Sequence, residues 1–279
     1  MKLCLGTAQF EENYGFNNIQ SQNIFELLNF CQNNGIYDFD TSILYGNSIK
    51  VLSESLKDNV NIYTKLRIIE SNNIEIILNC LKKELDNKIK ILKNKKIKGL
   101  LFHNPQDFMK LNKKDINTIF TTIKDIYNID KYGFSFYDVE HFKELYEQFE
   151  FNFIQIPYNI LDKSFFETNL FDLSSMNIEI HVRSIFLQGL LVSNLDNFKD
   201  TKLAKFIKDV RKDLYDKKIN IIDACIGFVK QNNSIDKIVF GVENIHQLKE
   251  VYKSFHNYRL NINLNYNYQD KYSLNPKNW

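Results

Sequence analysis

The stretch from Asn61 to His103 reads NIYTKLRIIESNNIEIILNCLKKELDNKIKILKNKKIKGLLFH and decides the fold. It opens with the short apolar run NIYTK and closes with a second one, GLLFH, as buried strands do. Between the two runs, apolar residues recur at helical spacing, as at Ile74, Ile77 and Leu81. A strand, a helix and a strand in this order predict two parallel strands of one sheet, joined by a crossover helix.

The same alternation continues along the whole chain. The predicted strands are Leu3–Thr7, Gly35–Asp40, Asn61–Leu66, Ile97–His103, Asp130–Phe134, Phe151–Pro157, Ile178–Val182 and Asp236–Gly241. Further helical patterns lie at Ile24–Cys31, Ile116–Ile126, Phe142–Phe149 and Ile221–Val229, with an extra helical segment around Thr201–Tyr215. The extra segment belongs to the one long connection, between the seventh and eighth predicted strands.

Eight strand-like runs that alternate with helices, without a break in composition, favour a parallel sheet closed on itself. The predicted fold class is therefore α/β, a single (β/α)8 TIM barrel formed by residues 1–279. An open doubly wound sheet is the rival, and it would carry a glycine-rich turn after its first strand if it bound a dinucleotide. The sequence at that point, GTAQFEENYG, does not fit this fingerprint.

The composition argues against several classes of protein. A net charge of +2 and a hydrophobic fraction of 44% are ordinary for a globular chain. A basic run begins at Lys82, but no aromatic residue interleaves with it, so we interpret it as a solvated helix face and expect no nucleic-acid partner. No run is long and apolar enough to cross a membrane, and the start MKLCLGTAQF lacks the pattern of a signal peptide. The four cysteines form no paired motif, so we expect a cytoplasmic protein with reduced thiols and no metal site.

The segment from residue 257 to residue 279 is rich in Asn and Tyr. Apolar and polar residues alternate from Leu260 to Tyr268, which is a strand-like period. We expect this tail to pack along the barrel, to cover the mouth of the site or to pair with another subunit, and the sequence does not choose among these.

Four polar side chains mark the ends of the early strands. Asp40, Lys65 and His103 close the second, third and fourth runs, and Tyr45 follows the second one. Since reacting groups in a βα barrel come from the carboxyl ends of the strands, we expect all four to meet. A lysine ammonium close to a tyrosine favours the phenolate, which lowers the high pKa of an ordinary tyrosine. A carboxylate can hold that ammonium in place, and a histidine can orient a substrate oxygen. The set predicts a carbonyl reductase in which Tyr45 donates the proton.

Several segments of the chain resemble the aldo-keto reductase family. They are LGTAQFEENYG, FDTSILYGNS, IYTK, LLFHNP, YGFSFYD, FIQIPYNILD, VRSIFLQGLL and IVFGVENIHQL, and they occur in the family's order. The resemblance implies a βα barrel that binds a nicotinamide dinucleotide without a Rossmann domain. It also implies that Asp40, Tyr45, Lys65 and His103 form a catalytic tetrad.

The resemblance further implies a set of cofactor-binding residues. Ser135 and Gln155 match positions that hold the nicotinamide carboxamide, and Ser184–Gly189 match the loop along the pyrophosphate. Gly241–Asn244 and Gln247 match the segment that holds the adenosine end. The complete implied set is Gly6, Thr7, Ser135, Gln155, Arg183, Ser184, Phe186, Gln188, Gly189, Gly241, Val242, Glu243, Asn244 and Gln247.

Three features depart from the family pattern. Arg183 stands where many members place an aromatic ring on the nicotinamide, and its planar guanidinium can stack there or reach an anionic substrate group. Glu243 stands where basic residues usually grip the extra phosphate of NADP, with Lys249 and Lys253 as candidates to compensate; the resemblance as a whole still favours NADP(H) over NAD(H). The first strand begins almost at residue 1, so we expect the hairpin that usually closes the barrel bottom to be missing or replaced by the tail.

These observations together predict an NAD(P)H-dependent reductase of a small-molecule carbonyl substrate, acting as a monomer or homodimer. The segment VRSIFLQGLL looks like that of bacterial members from sugar and surface-polysaccharide pathways. A keto- or aldehydo-sugar, free or attached to a nucleotide, is therefore the first candidate substrate. The alternatives are a cofactor-binding regulatory barrel with vestigial redox chemistry and a barrel that binds an unrelated phosphate ligand. The intact tetrad argues against both.

Overall fold

The computed structural model describes residues 1–10, 21–71, 73–168, 172–196, 198–257, 264 and 266–279. Eight parallel strands close into a barrel in chain order, and the last strand pairs with the first. The strands are β1 (Lys2–Gly6), β2 (Asp38–Asp40), β3 (Asn61–Leu66), β4 (Lys96–Phe102), β5 (Lys131–Ser135), β6 (Phe153–Pro157), β7 (Glu179–Arg183) and β8 (Lys237–Phe240). The predicted (β/α)8 barrel is therefore confirmed.

Helices surround the barrel and connect its strands. They are α1 (Ser21–Asn33), α2 (Ser48–Ser55), α3 (Ile74–Leu92), α4 (Lys113–Tyr127), α5 (Val139–Gln148), α6 (Ser164–Glu167), α7 (Thr201–Asp216), α8 (Ile221–Lys230) and α9 (Ile245–Asn257). Short 3₁₀ turns lie at Ala8–Phe10, Pro105–Asp107, Leu173–Ser175 and Pro276–Asn278. In the described part of the chain, six helices begin after an Asn or Asp whose side-chain oxygen accepts a backbone N–H, namely Asn73, Asn112, Asp138, Asp200, Asn220 and Asn244. These caps satisfy amides that a helix start leaves unpaired.

The predicted strand ends differ from the observed ones by up to three residues. The largest difference is in β2, which was predicted from Gly35 and begins at Asp38. The reason is that Gly35 has a φ of +76° and the Ile36 amide donates to the Cys31 carbonyl at 2.9 Å, which ends α1 instead of starting a strand. The helical patterns are confirmed, but Ile126, which was predicted on the buried face of α4, is 59% exposed.

The tail packs against the helical layer. Leu264 and Leu274 are buried in one apolar cluster with residues of α7 and α8, and the Tyr266 hydroxyl donates to the Asp213 carboxylate at 2.5 Å. Leu260 and Ile262 lie outside the described residues, and the predicted strand does not occur at residues 264 and 266–279. Lys271 also reaches the Leu161 carbonyl at 3.4 Å. The described part of the tail thus packs beside the loops after β6 and β7, instead of closing the amino-terminal end of the barrel.

One layer of side chains fills the middle of the barrel. Its members are Cys4, Tyr63, Leu101, Phe153 and Val239, all buried. Gly99 of β4 makes room for the two rings, because a Cβ there would lie 2.7 Å from the Tyr63 ring and 2.8 Å from the Phe153 ring. The barrel is therefore packed below the carboxyl ends of its strands, and any ligand site must lie above this layer.

A buried group of polar side chains lies toward the amino-terminal ends of the strands. This basal cluster consists of Asp38, Tyr63, Glu179, His181 and Lys237. The Lys237 ammonium donates to Glu179 Oε1 at 2.9 Å and to the Tyr63 hydroxyl at 2.5 Å, and Asp38 Oδ1 lies 3.9 Å from it. His181 Nε2 lies 2.8 Å from the same Glu179 oxygen. The cluster ties β2 and β3 to β7 and β8 across the barrel interior.

The basal cluster keeps Glu179 ionised and His181 neutral. Burial lowers the pKa of His181, and the hydrogen bond with Glu179 offsets this only in part. Burial alone would raise the pKa of Glu179, but hydrogen bonds from His181 and Lys237 hold it well below its ordinary value. Because both folded-state pKa values are depressed, the unfolded chain binds more protons in acid, and the cluster's contribution to stability falls as the pH drops below the ordinary pKa of histidine.

Candidate active site

The four side chains singled out at the strand ends line one cavity. Asp40 ends β2, Lys65 lies in β3, His103 follows β4 and Tyr45 lies in the loop after β2. In the barrel β2 pairs with β3 and β3 with β4, so the carboxyl ends of these strands are neighbours. The structure therefore brings the predicted tetrad together above the packed middle layer.

Asp40 lies at the centre of a buried hydrogen-bond network. One carboxylate oxygen accepts a hydrogen bond from the Lys65 ammonium, and the other accepts from the Gln155 side-chain amide at 2.8 Å. The Thr7 hydroxyl donates to the Asp40 backbone carbonyl at 3.1 Å. Asp40, Lys65 and Gln155 are each at most 3% exposed. The carboxylate is thus fixed by two donors and fixes the ammonium in return.

Two consecutive turns position Tyr45. Its amide donates to the Ser42 carbonyl at 3.1 Å, and its carbonyl accepts from the Ser48 amide at 2.9 Å. Gly46 follows with a φ of +45°, a conformation that glycine adopts readily. The Lys65 ammonium lies 5.8 Å from the centre of the Tyr45 ring. The phenol is half-buried and faces the cavity beside a cation that is itself held by Asp40.

The cavity continues from the tetrad along the carboxyl ends of β5 to β8 and encloses about 1250 Å³, its open mouth included. Twelve of the residues expected at the cofactor line it: Gly6, Ser135, Gln155, Arg183, Ser184, Phe186, Gln188, Gly189, Gly241, Val242, Glu243 and Gln247. Thr7 and Asn244 do not. Thr7 is completely buried, and the Asn244 side chain accepts from the Gln247 amide at 3.0 Å at the start of α9. The structure gives these two side chains a supporting position behind the wall.

Arg183 is held firmly on the cavity wall. Its two terminal nitrogens donate to the Phe136 carbonyl at 3.0 Å and to the Ser184 hydroxyl at 3.2 Å. The Tyr137 ring lies beneath the guanidinium, with 4.0 Å between the ring centre and Cζ. Tyr137 also lines the cavity and was not singled out in the sequence, although it belongs to the segment YGFSFYD. The sequence feature that could have identified Tyr137 is its position shortly after Ser135, the serine that ends β5.

The loop after β7 has an unusual backbone. Ser184, Leu187 and Gln188 have positive φ angles of 57°, 48° and 48°, and Gly189 has a φ of 92°. Non-glycine residues adopt this region at a cost, so the surroundings must impose it. Asn159 donates to the Ser184 carbonyl at 3.1 Å, which supports the start of the loop.

Arg211 of α7 supports the other end of that loop. Its guanidinium donates to the carbonyls of Leu190, Leu191 and Ser193 at 2.5, 3.0 and 2.6 Å. Sequence reasoning missed Arg211, because a single arginine on an amphipathic helix gives no sign of its partners. Together with Asn159 it holds the strained loop against the cavity.

A comparison with known families decides the classification. The Aldo/keto reductase family matches residues 2–265 of the chain. The chain belongs to the aldo-keto reductase family. Enzymes of this family are NAD(P)-dependent oxidoreductases, and this aldo-keto reductase is therefore an enzyme of that class, with a nicotinamide cofactor and a small carbonyl substrate.

Solved structures of the family share the fold of this aldo-keto reductase. The holo form of an aldo-keto reductase from Bacillus halodurans is 16% identical with a TM-score of 0.74, covering 98% of this chain and 91% of that one. The glycerol dehydrogenase of Gluconobacter oxydans is 17% identical with a TM-score of 0.69, covering 92% and 87%. No curated protein sequence matches this chain significantly. At these identities the structural likeness establishes the barrel and leaves the substrate open.

The far end of the cavity is formed by the start of α9. The Glu243 backbone amide donates to the side-chain oxygen of Gln247 at 2.8 Å. The side-chain nitrogen of Gln247 in turn donates to the Glu243 carboxylate at 3.4 Å. Lys249 points elsewhere, with its ammonium 6.0 Å from the centre of the Phe30 ring on α1, and Lys253 lies at a separate groove between α8 and α9. Among the described residues that line the cavity, the cations are Lys65, His103 when protonated, and Arg183.

The lining fits a nicotinamide dinucleotide. Buried amide and hydroxyl groups of Gln155 and Ser135 stand near the tetrad, where a carboxamide requires polar partners. The strained loop from Ser184 to Gly189 runs along the middle of the cavity, and the first turn of the thirteen-residue helix α9 lies at its far end. Backbone N–H groups at such a helix start can bind phosphate groups. No group of three or more metal-ligating side chains occurs in the described ranges. No helix in the same ranges is long and apolar enough to span a membrane.

Proposed function

We propose that this enzyme reduces an aldehyde or ketone to an alcohol, with Tyr45 as the proton donor. The observation that supports this is the arrangement of the four tetrad side chains in one cavity, with Lys65 paired to Asp40 and lying 5.8 Å from the Tyr45 ring. A phenol beside a fixed ammonium is equipped to protonate an oxygen on which negative charge develops. A regulatory barrel without chemistry leaves this arrangement without a purpose.

Each tetrad residue has a distinct part in the proposed reaction. A bound reduced nicotinamide would supply the hydride that forms the new C–H bond at the carbonyl carbon. Tyr45 gives its phenolic proton to the carbonyl oxygen, so the products are an alcohol, oxidised cofactor and a tyrosinate. Lys65 stabilises that tyrosinate until it regains a proton from solvent, and Asp40 holds Lys65 in place. His103 lines the same cavity and orients the carbonyl oxygen by a hydrogen bond.

For the substrate we propose a keto- or aldehydo-sugar, free or attached to a nucleotide. The cavity lining also carries polar side chains that are not assigned to the cofactor, namely Gln9, His103 and Tyr137. Such a wall suits a polyhydroxylated ligand better than an aromatic one. Arg183 already donates to Phe136 and Ser184, so we do not assign a substrate phosphate to it.

Carbonyl-dependent oxidation of NADH or NADPH tests the reaction and the substrate together. We expect kcat/KM for a sugar-nucleotide ketone or an aldehydo-sugar to exceed that for small aromatic aldehydes. A clear preference for the aromatic aldehydes would reject the sugar proposal but leave the reductase intact. Tight cofactor binding with no turnover of any carbonyl would instead favour the regulatory barrel.

For the cofactor we propose NAD(H), although the family resemblance favoured NADP(H). Glu243 lines the far end of the cavity, where an acidic group can accept a hydrogen bond from a ribose hydroxyl and repels a phosphate. Lys249 and Lys253, the expected replacements for a phosphate-binding cation, do not line the cavity. The charge around Glu243 therefore suits the dinucleotide without the extra phosphate.

Replacement of Glu243 by Arg is expected to reverse the cofactor preference. For the wild type we expect NADH to bind at least about tenfold more tightly than NADPH, a difference of about 1.4 kcal/mol. Glu243→Arg removes the repulsion and supplies a cation, so NADPH should then bind more tightly. Fluorescence titration measures both dissociation constants. Glu250→Arg is the matched control, because it makes the same charge change on an exposed position of α9 outside the cavity. If the wild type and Glu243→Arg had the same ratio of NADH to NADPH affinity, Glu243 would not determine the cofactor preference.

We also propose a cytoplasmic location and a monomeric or homodimeric state. All four cysteines are free thiols, and Cys4, Cys31 and Cys225 are buried, as in proteins of reducing compartments.

A further inference from the structure

We propose that Arg183 makes the enzyme bind reduced cofactor more tightly than oxidised cofactor, so that the free site loads the reduced form and releases the oxidised product. The inference rests on the proposed function, since it assumes that a nicotinamide dinucleotide occupies the cavity. It goes beyond that function because it assigns to one residue the preference of the site for the reduced over the oxidised form of the cofactor.

The first support is the position of the charge. Arg183 is the last residue of β7 and lines the same cavity as Tyr45, His103 and Gln155. Proton delivery by Tyr45 requires the carbonyl oxygen within hydrogen-bond reach of the phenol, and hydride transfer requires the reacting carbons in near contact. The redox-active ring must therefore lie beside Tyr45 and His103. The Arg183 guanidinium contacts Phe136 and Tyr137, which directly follow the cavity-lining Ser135 at the end of β5.

The second support is that the charge is fixed and uncompensated. The Phe136 carbonyl, the Ser184 hydroxyl and the Tyr137 ring hold the guanidinium, and all three partners are neutral. No Asp or Glu within the described ranges forms an ion pair with Arg183. The other cation near the tetrad, Lys65, is neutralised by Asp40 in direct contact. Arg183 therefore contributes the net positive field on this side of the cavity.

The third support is the chemistry of the cofactor. An oxidised nicotinamide ring carries a positive charge, whereas the reduced ring is neutral. A nearby guanidinium repels the oxidised ring and leaves the reduced ring unaffected by charge repulsion.

Calorimetric titration without any carbonyl substrate tests the inference by binding alone. The measured quantity is the ratio of the dissociation constant of oxidised cofactor to that of reduced cofactor. We expect Arg183→Met to lower this ratio at least about tenfold, and Arg183→Lys, which keeps the charge, to lower it much less. Arg67→Met is the matched control, because Arg67 is exposed, follows β3 and does not line the cavity. Circular dichroism verifies that each variant is folded.

The outcomes separate this inference from the proposed function. An unchanged ratio in Arg183→Met, with both cofactor forms still bound, would overturn the inference and leave the reductase standing. An equal fall in Arg183→Lys and Arg183→Met would show that shape rather than charge sets the ratio, and would also overturn it. Failure of the wild type to bind either form would overturn the proposed function and this inference with it.

Discussion

Tyr45→Phe is expected to lower kcat for carbonyl reduction by a factor of about 10² to 10⁴, the usual contribution of a positioned general acid. The substitution removes the phenolic oxygen and keeps the ring, so the turns that hold residue 45 remain intact. Cofactor affinity should change little, because the loss is confined to the proton donor. Steady-state kinetics with the preferred carbonyl, together with cofactor titration, measures both quantities.

The matched control for that variant is Tyr215→Phe. Tyr215 is 80% exposed on α7, so the same loss of a hydroxyl there should leave kcat unchanged. Lys65→Met should lower kcat as well, because the tyrosinate would lose its neighbouring ammonium. If Tyr45→Phe kept more than a tenth of the wild-type kcat, another group would have to deliver the proton.

Lys237→Met is expected to destabilise the fold by about 3 to 5 kcal/mol, the usual cost of removing one partner of a buried ion pair. Lys237 is 8% exposed and donates to both Glu179 and Tyr63. Methionine is close in size, so the loss would come mainly from leaving the partly buried Glu179 charge with fewer partners. Urea denaturation at neutral pH, extrapolated to water, measures the free energy of unfolding.

Lys110→Met makes the same side-chain change in an exposed ion pair. Lys110 contacts Glu70 at 3.0 Å, but both side chains are largely exposed to solvent, so stability should hardly change. The double variant Lys237→Met with Glu179→Gln should regain part of the lost stability, since it removes the uncompensated carboxylate. Equal stability of Lys237→Met and Lys110→Met would show that the basal cluster contributes nothing.

The sequence predicted the barrel and the tetrad because both follow from local patterns. Runs such as NIYTK and GLLFH show strands by themselves, and a polar residue that closes a parallel strand lies at one known edge. Lys65 and His103 could be placed in this way without knowledge of any contact. The ends of β2 were less predictable, because Gly35 and Ile36 complete the turn that ends α1.

The interactions that the sequence did not predict connect distant parts of the chain. The hydrogen bond from Gln155 to Asp40 spans 115 positions, and that between Lys237 and Tyr63 spans 174. No spacing rule relates such residues before the barrel has closed. Arg183 was ambiguous for a different reason. A guanidinium can stack on an aromatic ring or bind an anionic group, and the sequence does not distinguish these two roles. The contacts of Arg183 with the Phe136 carbonyl and the Tyr137 ring do so. The roles of the site residues remain predictions.

The closed barrel has a consequence for how the chain is made. β1 completes its hydrogen bonding only when Lys2 and its neighbours pair with Lys237–Phe240, about 235 residues later. At about 5 to 20 residues per second, the ribosome needs roughly 10 to 50 seconds to supply that partner. During this time one edge of β1 stays open to pairing with other chains. Slower synthesis should therefore increase mispairing of this edge and lower the yield of native protein.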